Sequence, residues 1–339
     1  PLIPAREFLK TSNINGAKTR EDIVAMFDKV DDWNFDVFTL HELTEGQTLF
    51  ITGYTLFVKY DLLNKFKIPE QVLMNFLREV EQGYHSNPYH NSMHAADVLQ
   101  VTHYIISKGG LGQLLSDEEI MAALISAIVH DYDHPGLNNV FQISSQSYLA
   151  TLYNDRSVLE NHHCAQAFEL MRSKELNILA TLTSDQRRDM RENIIQMILS
   201  TDMGQHGSIV GKFKGRIEAD PAFLSKDDVK IALQVAIKMA DVSNPARPLK
   251  LYLKWAKKVT EEFYFQGDKE AELNMPISPL MDRHHPTLSK GQIGFMDYIV
   301  SPMFDLFSGV FSKMKFVKEL IAANKAYWET HSDFDVSTV

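Results

Sequence analysis

Cysteine is nearly absent from this chain: Cys164 is the single one in 339 residues. One thiol builds neither a disulfide framework nor a thiolate metal site, and it fits a reducing compartment, read here as the cytoplasm. Long apolar runs are missing as well. No uninterrupted stretch reaches the roughly 18 residues of a membrane-spanning helix, and the amino terminus lacks the basic-then-apolar layout of a secretion signal. Dense Lys/Arg runs are also absent. The 34 Lys and Arg stand against 44 Asp and Glu, a formal charge of −10, which argues against a nucleic-acid partner. An acidic surface repels small anions too, so a site for one needs a local positive source such as bound divalent cations. Alternating strand patterns with hairpin turns are scarce, and no low-complexity segment or solenoid repeat is present.

What is there is globular: 45% hydrophobic and 23% charged residues give ample material for a core. The length favours one large domain over residues 1–339. The chain opens on Pro1 and closes in a polar tail from Ser332. The expectation is a piece of a longer protein whose regulatory domains, and any membrane association, lie in other regions.

The text is helical. Pro69-Glu70 opens a helix over Gln71 to Glu81, with Val72, Leu73, Phe76, Leu77 and Val80 at helical spacing. Ser116-Asp117-Glu118-Glu119 is a capping box ahead of Ile120 to Val129, and Thr183-Ser184-Asp185-Gln186 another ahead of Met190 to Leu199. Ser225, with Asp227 and Asp228, begins a third such helix running to about Ala240. Breaks are expected at Lys108-Gly109-Gly110, Pro135-Gly136, Met203 to Gly207, Asn244-Pro245 and from Gly267 to Pro286. The stretch Ala271 to Thr287 is the longest irregular one and a candidate to flank a cleft. The fold class is therefore all-α, a compact multi-helix domain with a deep metal-containing pocket between helices.

Chemistry concentrates in His90-Asn91-Ser92-Met93-His94 and His130-Asp131-Tyr132-Asp133-His134. Imidazole and carboxylate suit zinc, manganese or magnesium. His90 and His94 are four apart, so on a helix both project from one face. His130 and Asp131 close the apolar helix Ile120 to Val129, and Pro135 stops its continuation, so both side chains can converge on an ion. Any one of these histidines alone reads as an ordinary satisfied residue; together they read as a metal site. Asp241, at a helix end before Val242-Ser243-Asn244-Pro245, repeats the arrangement and is the best further ligand.

Three segments carry a resemblance: His-Asn-x-x-His-Ala-x-Asp at 90–97, His-Asp-x-Asp-His-x-Gly-x-x-Asn at 130–139 and Asp-x-Ser-Asn-Pro at 241–245. Together they resemble the catalytic domain of class I cyclic-nucleotide phosphodiesterases, and the likeness runs through Glu160-Asn161-His162-His163, Ser200-Thr201-Asp202, Glu262-Phe263, Gln266-Gly267-Asp268 and Gln292-x-Gly294-Phe295. It covers roughly residues 70 to 310, closest to the cAMP-hydrolysing branches. The resemblance implies that His94, His130, Asp131 and Asp241 hold zinc. It implies that Asp131 bridges to a second ion, magnesium with manganese as the alternative, and that a bridging hydroxide attacks phosphorus. It casts His90 as general acid to the departing 3′-oxygen, with Glu160 hydrogen-bonded to it. It gives His134, Asn139 and Thr201 the orienting of ligands and waters. Gln292 and Phe295 would read and stack the purine against Val259, with Tyr89, Asn244, Tyr252, Trp255, Phe263 and Met281 lining the pocket. Lys238-Met239, Ser301 and Phe304 depart from the residues many relatives carry, and they bear on nucleotide preference rather than on the metal site.

The rival reading is a broader HD-type metal phosphohydrolase acting on another nucleotide or phosphate ester, which would not require Glu160, Gln292 and Phe295 together. A module that only senses a nucleotide would dispense with His90 or a ligand, and all are present. The reading is hydrolysis of 3′,5′-cAMP, with cGMP as a further substrate because the Gln292 amide can be turned to match either purine.

Overall fold

The helix Asp117–Val129 is apolar on every side, and that decides the architecture, because such a helix must be surrounded. Every residue from Ile120 to Val129 is buried, each Leu, Ile or Val contributing about 1.5–3 kcal/mol by leaving water. Ser92–Ser107 packs along one side of it and Ser184–Leu199 along another, with Thr48–Lys59, Val158–Leu170 and Lys226–Asp241 completing the enclosure. These contacts come from a computed structural model that describes residues 17–331 apart from Pro221, Phe223 and Leu224. The amino-terminal stretch from Pro1 and the polar tail from Ser332 lie outside the described residues. Among the described residues there is no strand, as the scarcity of alternating patterns leads one to expect. No helix among them is long and apolar enough to cross a membrane.

Local signals place the outer helices. Glu70–Gly83 buries Leu73, Phe76, Leu77 and Val80, with Pro69 at its cap rather than in its first turn. It lies close on Thr48–Lys59: a Cβ added to Gly53 would stand 2.7 Å from a Leu77 methyl. All three capping boxes form, Ser116 with Glu119, Thr183 with Gln186 and Ser225 with Asp228, each such cap being worth about 1 kcal/mol.

Two corrections concern the carboxy-terminal third. No break occurs at Gly267, because the helix Leu249–Glu272 runs through it. The glycine instead admits a close approach: an added Cβ would fall on the carbonyl oxygen of Met281. The irregular stretch thus begins at Leu273, and it folds back onto the helix that precedes it. Ser278 donates to Glu270 from its backbone N–H and its hydroxyl, and Arg283 pairs with Asp268.

A buried polar network fastens the early chain to the loop after Asp241. Arg247, fully buried, donates to Asp97 Oδ1 at 2.6 Å and to the carbonyls of Trp33 and Phe35. Trp33 Nε1 in turn donates to Ala246 O at 2.7 Å. A buried cation paired in this way costs several kcal/mol to leave unpartnered.

Candidate metal centre and adjoining cleft

Three helix ends converge on one cleft. His94 sits in the first turn of Ser92–Ser107, whose cap Asn91 accepts from the backbone N–H groups of Met93 and His94 at 3.0 and 3.1 Å. His130 and Asp131 follow Asp117–Val129, and Asp241 is the last residue of Lys226–Asp241. Donor atoms of His94, His130, Asp131 and Asp241 all lie within 4.8 Å of one another. His90, by contrast, precedes the capping residue and is not on the helix that carries His94, because Asn91 takes the cap position. The two rings still meet across the cleft, their centroids 5.8 Å apart.

The four donors fit a divalent cation. A carbonyl only accepts, so the 3.0 Å contact of His130 Nδ1 with Ala127 O puts a proton on Nδ1 and leaves Nε2 turned into the cleft. That nitrogen stands 3.3 Å from His94 Nε2 and 3.1 Å from Asp131 Oδ2, while Asp241 Oδ1 is 3.1 Å from His94 Nε2. Asp131 Oδ2 is buried without a hydrogen-bond partner. Two nitrogens and two carboxylates aimed at one point repel unless a positive charge sits among them. The titration behaviour says the same. Burial opposes charge on His130, yet Asp131 and Asp241 outweigh it and push the imidazole well above its ordinary range. Burial would raise Asp131 and Asp241, and the same histidines hold both far below the usual carboxylate range.

A second cluster shares Asp131. His134 and His163 lie with it within 4.8 Å, and His163 is the member sequence reasoning left without a role. His163 Nδ1 donates to Tyr132 O at 2.6 Å, which leaves Nε2 3.7 Å from Asp131 Oδ1. His134 Nδ1 accepts from the Gly136 N–H at 2.9 Å. Both imidazoles are neutral near pH 7, His163 because burial takes it down to about 4 and His134 because burial and the charge on His90 hold it well down.

The expected pairing of His90 with Glu160 is not found. His90 pairs with Glu262, whose Oε1 accepts from His90 Nδ1 while Oε2 accepts from the backbone N–H groups of Tyr89 and His90, each at 2.9 Å. Burial disfavours the imidazolium, but the Glu262 charge and hydrogen bond, with Asp131 and Asp241 behind, carry His90 up to about 9. Glu262, despite burial, is held down at about 2, chiefly by His90. His90 therefore carries two protons at neutral pH, its ring stacked 4.1 Å from that of His134. Glu160 instead accepts from Asn139 Nδ2 at 2.9 Å, and burial with nearby Asp202 raises it to about 7. Two glutamates stood in quoted motifs, and no spacing rule tells which one reaches residue 90.

Of the other residues expected to orient ligands and waters, Asn139 also accepts from the Leu159 N–H at 2.9 Å, and the Thr201 hydroxyl donates to Ile198 O at 2.7 Å. Lys238 is fully buried, and its Nζ donates to the carbonyls of Ser200, Thr201 and Asp202 at 3.1–3.3 Å. It closes the end of Ser184–Leu199 against the last turn before Asp241. Ser301 opens the next helix and Phe304 is core.

One face of Leu249–Glu272 supplies the other wall. Tyr252, Trp255, Val259, Glu262, Gln266 and Glu270 recur at three- and four-residue spacing along it. Tyr252 and Trp255 are each 1% exposed, which sets them behind the cleft surface rather than on it. Trp255 backs Tyr89 and His94, its ring 5.6 and 6.0 Å from theirs. Tyr252 receives the Trp328 indole N–H at 2.6 Å and donates to Gln292 Oε1 at 2.7 Å. Tyr89 donates to Asn244 Oδ1 at 2.6 Å. Gln292 and Phe295 share a face of Leu288–Phe295 and are half-buried, as are Val259 and Phe263, while Met281 is buried. A separate cavity of about 700 Å³ between Trp33, Tyr104 and Phe316 shares no residue with these groups.

A family model described as 3′5′-cyclic nucleotide phosphodiesterase matches residues 89–321. The chain is 41% identical over 312 residues to the Mus musculus dual specificity calcium/calmodulin-dependent 3′,5′-cyclic nucleotide phosphodiesterase 1C, covering 91% of this chain and 44% of that one. It is 43% identical over 283 residues to a probable 3′,5′-cyclic phosphodiesterase of Caenorhabditis elegans, covering 83% and 42%. It thus spans less than half the length of these curated relatives. The crystal structure of the phosphodiesterase domain of the RhoPDE fusion protein from the choanoflagellate Salpingoeca rosetta is similar at a TM-score of 0.83 and 33% identity, over 90% of this chain and 96% of that one.

Proposed function

The chain belongs to the 3′5′-cyclic nucleotide phosphodiesterase family, and from that premise we propose that it hydrolyses 3′,5′-cAMP to 5′-AMP in the cleft described above. The observation that carries the reading is Asp131 shared between two donor clusters, with the doubly protonated His90 beside them. His94, His130, Asp131 and Asp241 would hold zinc. Asp131, with His134, Asn139, Thr201 and His163 about it, would serve magnesium, manganese being the alternative. Bound there, such ions activate water and neutralise phosphoryl oxygens, the positive source an acidic chain needs for an anionic substrate.

The chain's own residues do the rest. His90 Nε2–H makes no hydrogen bond to the described residues, so it can be delivered to the departing 3′-oxygen, a contribution of roughly 10²- to 10⁴-fold. Glu262 holds the opposite edge of the ring and keeps it charged before the transfer. Phe295 and Val259 supply the two faces that sandwich the purine, stacking being worth roughly 1–3 kcal/mol.

Gln292 supports a preference for one base. The Tyr252 hydroxyl accepts from the Trp328 N–H and donates to Gln292 Oε1. That contact holds the amide with Oε1 toward Tyr252. A fixed amide matches the donor–acceptor order of one purine edge and not the other. We assign it to adenine, with Asn244 as a further residue of the pocket, and give cGMP the lesser rate. The rival HD-type reading gives way to the family match, and one continuous apolar core from Ile23 to Trp328 supports treating the chain as one catalytic domain. The test is kcat/KM for cAMP and for cGMP on the purified, metal-loaded chain. cAMP should be favoured, and a tenfold preference for cGMP, or no turnover of either, would refute the assignment.

A further inference from the structure

Asp133 is the member of the His130–His134 turn that the chemistry above does not use. It stands in the left-handed region at φ +61, a conformation non-glycine residues adopt seldom and Asp and Asn most readily. Its two oxygens face opposite ways. Oδ1 accepts from His85 Nε2 at 2.6 Å, just beyond the helix Glu70–Gly83, and Oδ2 accepts from His162 Nε2 at 2.7 Å, on the helix Val158–Leu170.

Both histidines belong to segments that grip the same turn a second time. Two residues after His85, Asn87 Nδ2 donates to the carbonyls of His134 and His90, each at 2.8 Å. Next to His162, His163 donates to Tyr132 O and faces Asp131. The segment that leads to His90 and the helix that carries His163 thus meet at a single carboxylate. By contrast His94 and Asp241 stand on other helices, and neither is among the hydrogen-bond partners of Asp133.

From this arrangement we propose that Asp133 is a positioning residue that clamps the His85–His90 segment and the His162–His163 pair onto the metal-bearing turn, and so sets the affinity of the second ion site, Asp131/His134/His163, without governing the first. The proposal rests on the two-ion reading of the cleft. It predicts that one substitution separates the two sites, which a general loss of stability does not do.

The experiment uses Asp133→Asn, which keeps the side chain's size and its tolerance of positive φ but can no longer accept from both histidines through two equivalent oxygens. Its companion is His85→Asn, which leaves the Asp133 charge in place. His85 is more than half exposed, so its replacement spares the core. Zinc per chain is measured by elemental mass spectrometry, and Mn²⁺ binding to the zinc-loaded protein by calorimetry and electron paramagnetic resonance. The expected result is wild-type zinc content in both variants, Mn²⁺ affinity weakened about tenfold in Asp133→Asn and severalfold in His85→Asn. Mn²⁺ affinity within twofold of wild type in both variants overturns the clamp. So does a loss in Asp133→Asn with none in His85→Asn, since that pattern belongs to charge alone. Loss of zinc in step with Mn²⁺ overturns the claimed separation of the sites. A wild-type protein that takes up no second ion fails the two-ion reading itself, a result seen before any variant is compared.

Discussion

Replacing Glu262 by Gln should move the alkaline limb of the pH–rate profile down from about 9 by the share of the His90 elevation that Glu262 supplies, the largest of the raising contributions. In the folded chain Glu262 and the carboxylates behind it lift His90 from an ordinary 6.5 to about 9 against the cost of burial. That difference of about 2.5 units corresponds to about 3 kcal/mol favouring the imidazolium. With the Glu262 charge and hydrogen bond gone, burial still opposes the imidazolium and only Asp131 and Asp241 support it, so the His90 value falls. At pH 7.5 a group with pKa 9 is about 97% protonated, and once the value has dropped below 7.5 each further unit removes about tenfold from kcat/KM. Cations in the adjoining cluster lower both limbs and leave their separation. The sign follows from the role: the acid form is needed, so activity is lost as pH rises through the His90 value. Stability follows the same linkage. A His raised above its unfolded value stabilises fully below about 6.5 and loses that contribution through about 9, and a Glu lowered to about 2 stabilises above about 4.5. The stability gap between wild type and Glu262→Gln is therefore widest between about pH 4.5 and 6.5. The assay is kcat/KM for cAMP from pH 6 to 10, with Glu160→Gln as the comparison that leaves the limb in place. A Glu262→Gln limb coincident with wild type, or a Glu160→Gln limb displaced instead, refutes the assignment of the partner.

Two further outcomes test the rest of the cleft. Asp241→Ala should lose zinc while His90→Ala keeps it and loses most turnover; elemental analysis of the purified proteins checks the zinc and kcat for cAMP the turnover, and full zinc in Asp241→Ala would remove that residue from the ligand set. Tyr252→Phe removes the hydroxyl that fixes Gln292, so discrimination between cAMP and cGMP should fall severalfold, measured as the ratio of kcat/KM values. An unchanged ratio would mean that the amide is oriented by something else.

The parts of the fold that local chemistry specifies were legible before the structure. Capping boxes at Ser116, Thr183 and Ser225 and the stripe Leu73, Phe76, Leu77 and Val80 depend on residues within a few positions of one another, and all appear where the spacing puts them. The convergence of His130, Asp131 and Asp241 was legible because each lies at a helix end, where a proline a few residues on turns the chain. The pairing of His90 with Glu262 spans 172 residues, and nothing local distinguishes Glu262 from Glu160. Likewise Gly267 reads as a helix breaker in isolation; that it makes room for the Met281 carbonyl depends on a loop returning from fourteen residues ahead.

Those missed features share one cause, the helix Leu249–Glu272. Its inward stripe reaches four separate pieces of chain: Tyr252 meets Gln292, Glu262 meets His90, Gln266 meets Asn138, and Glu270 meets Ser278. The 3.6-residue period puts these side chains on one line, but the period alone names no partner. Because all four contacts are made from one rigid rod, the position of His90, the orientation of the Gln292 amide and the course of the loop from Leu273 are set relative to one another. The proposed ion-binding groups are carried by other elements, the ends of Ser92–Ser107, Asp117–Val129 and Lys226–Asp241. A substitution on the stripe should therefore alter proton delivery or base choice while zinc stays bound, and a substitution at those helix ends should do the reverse.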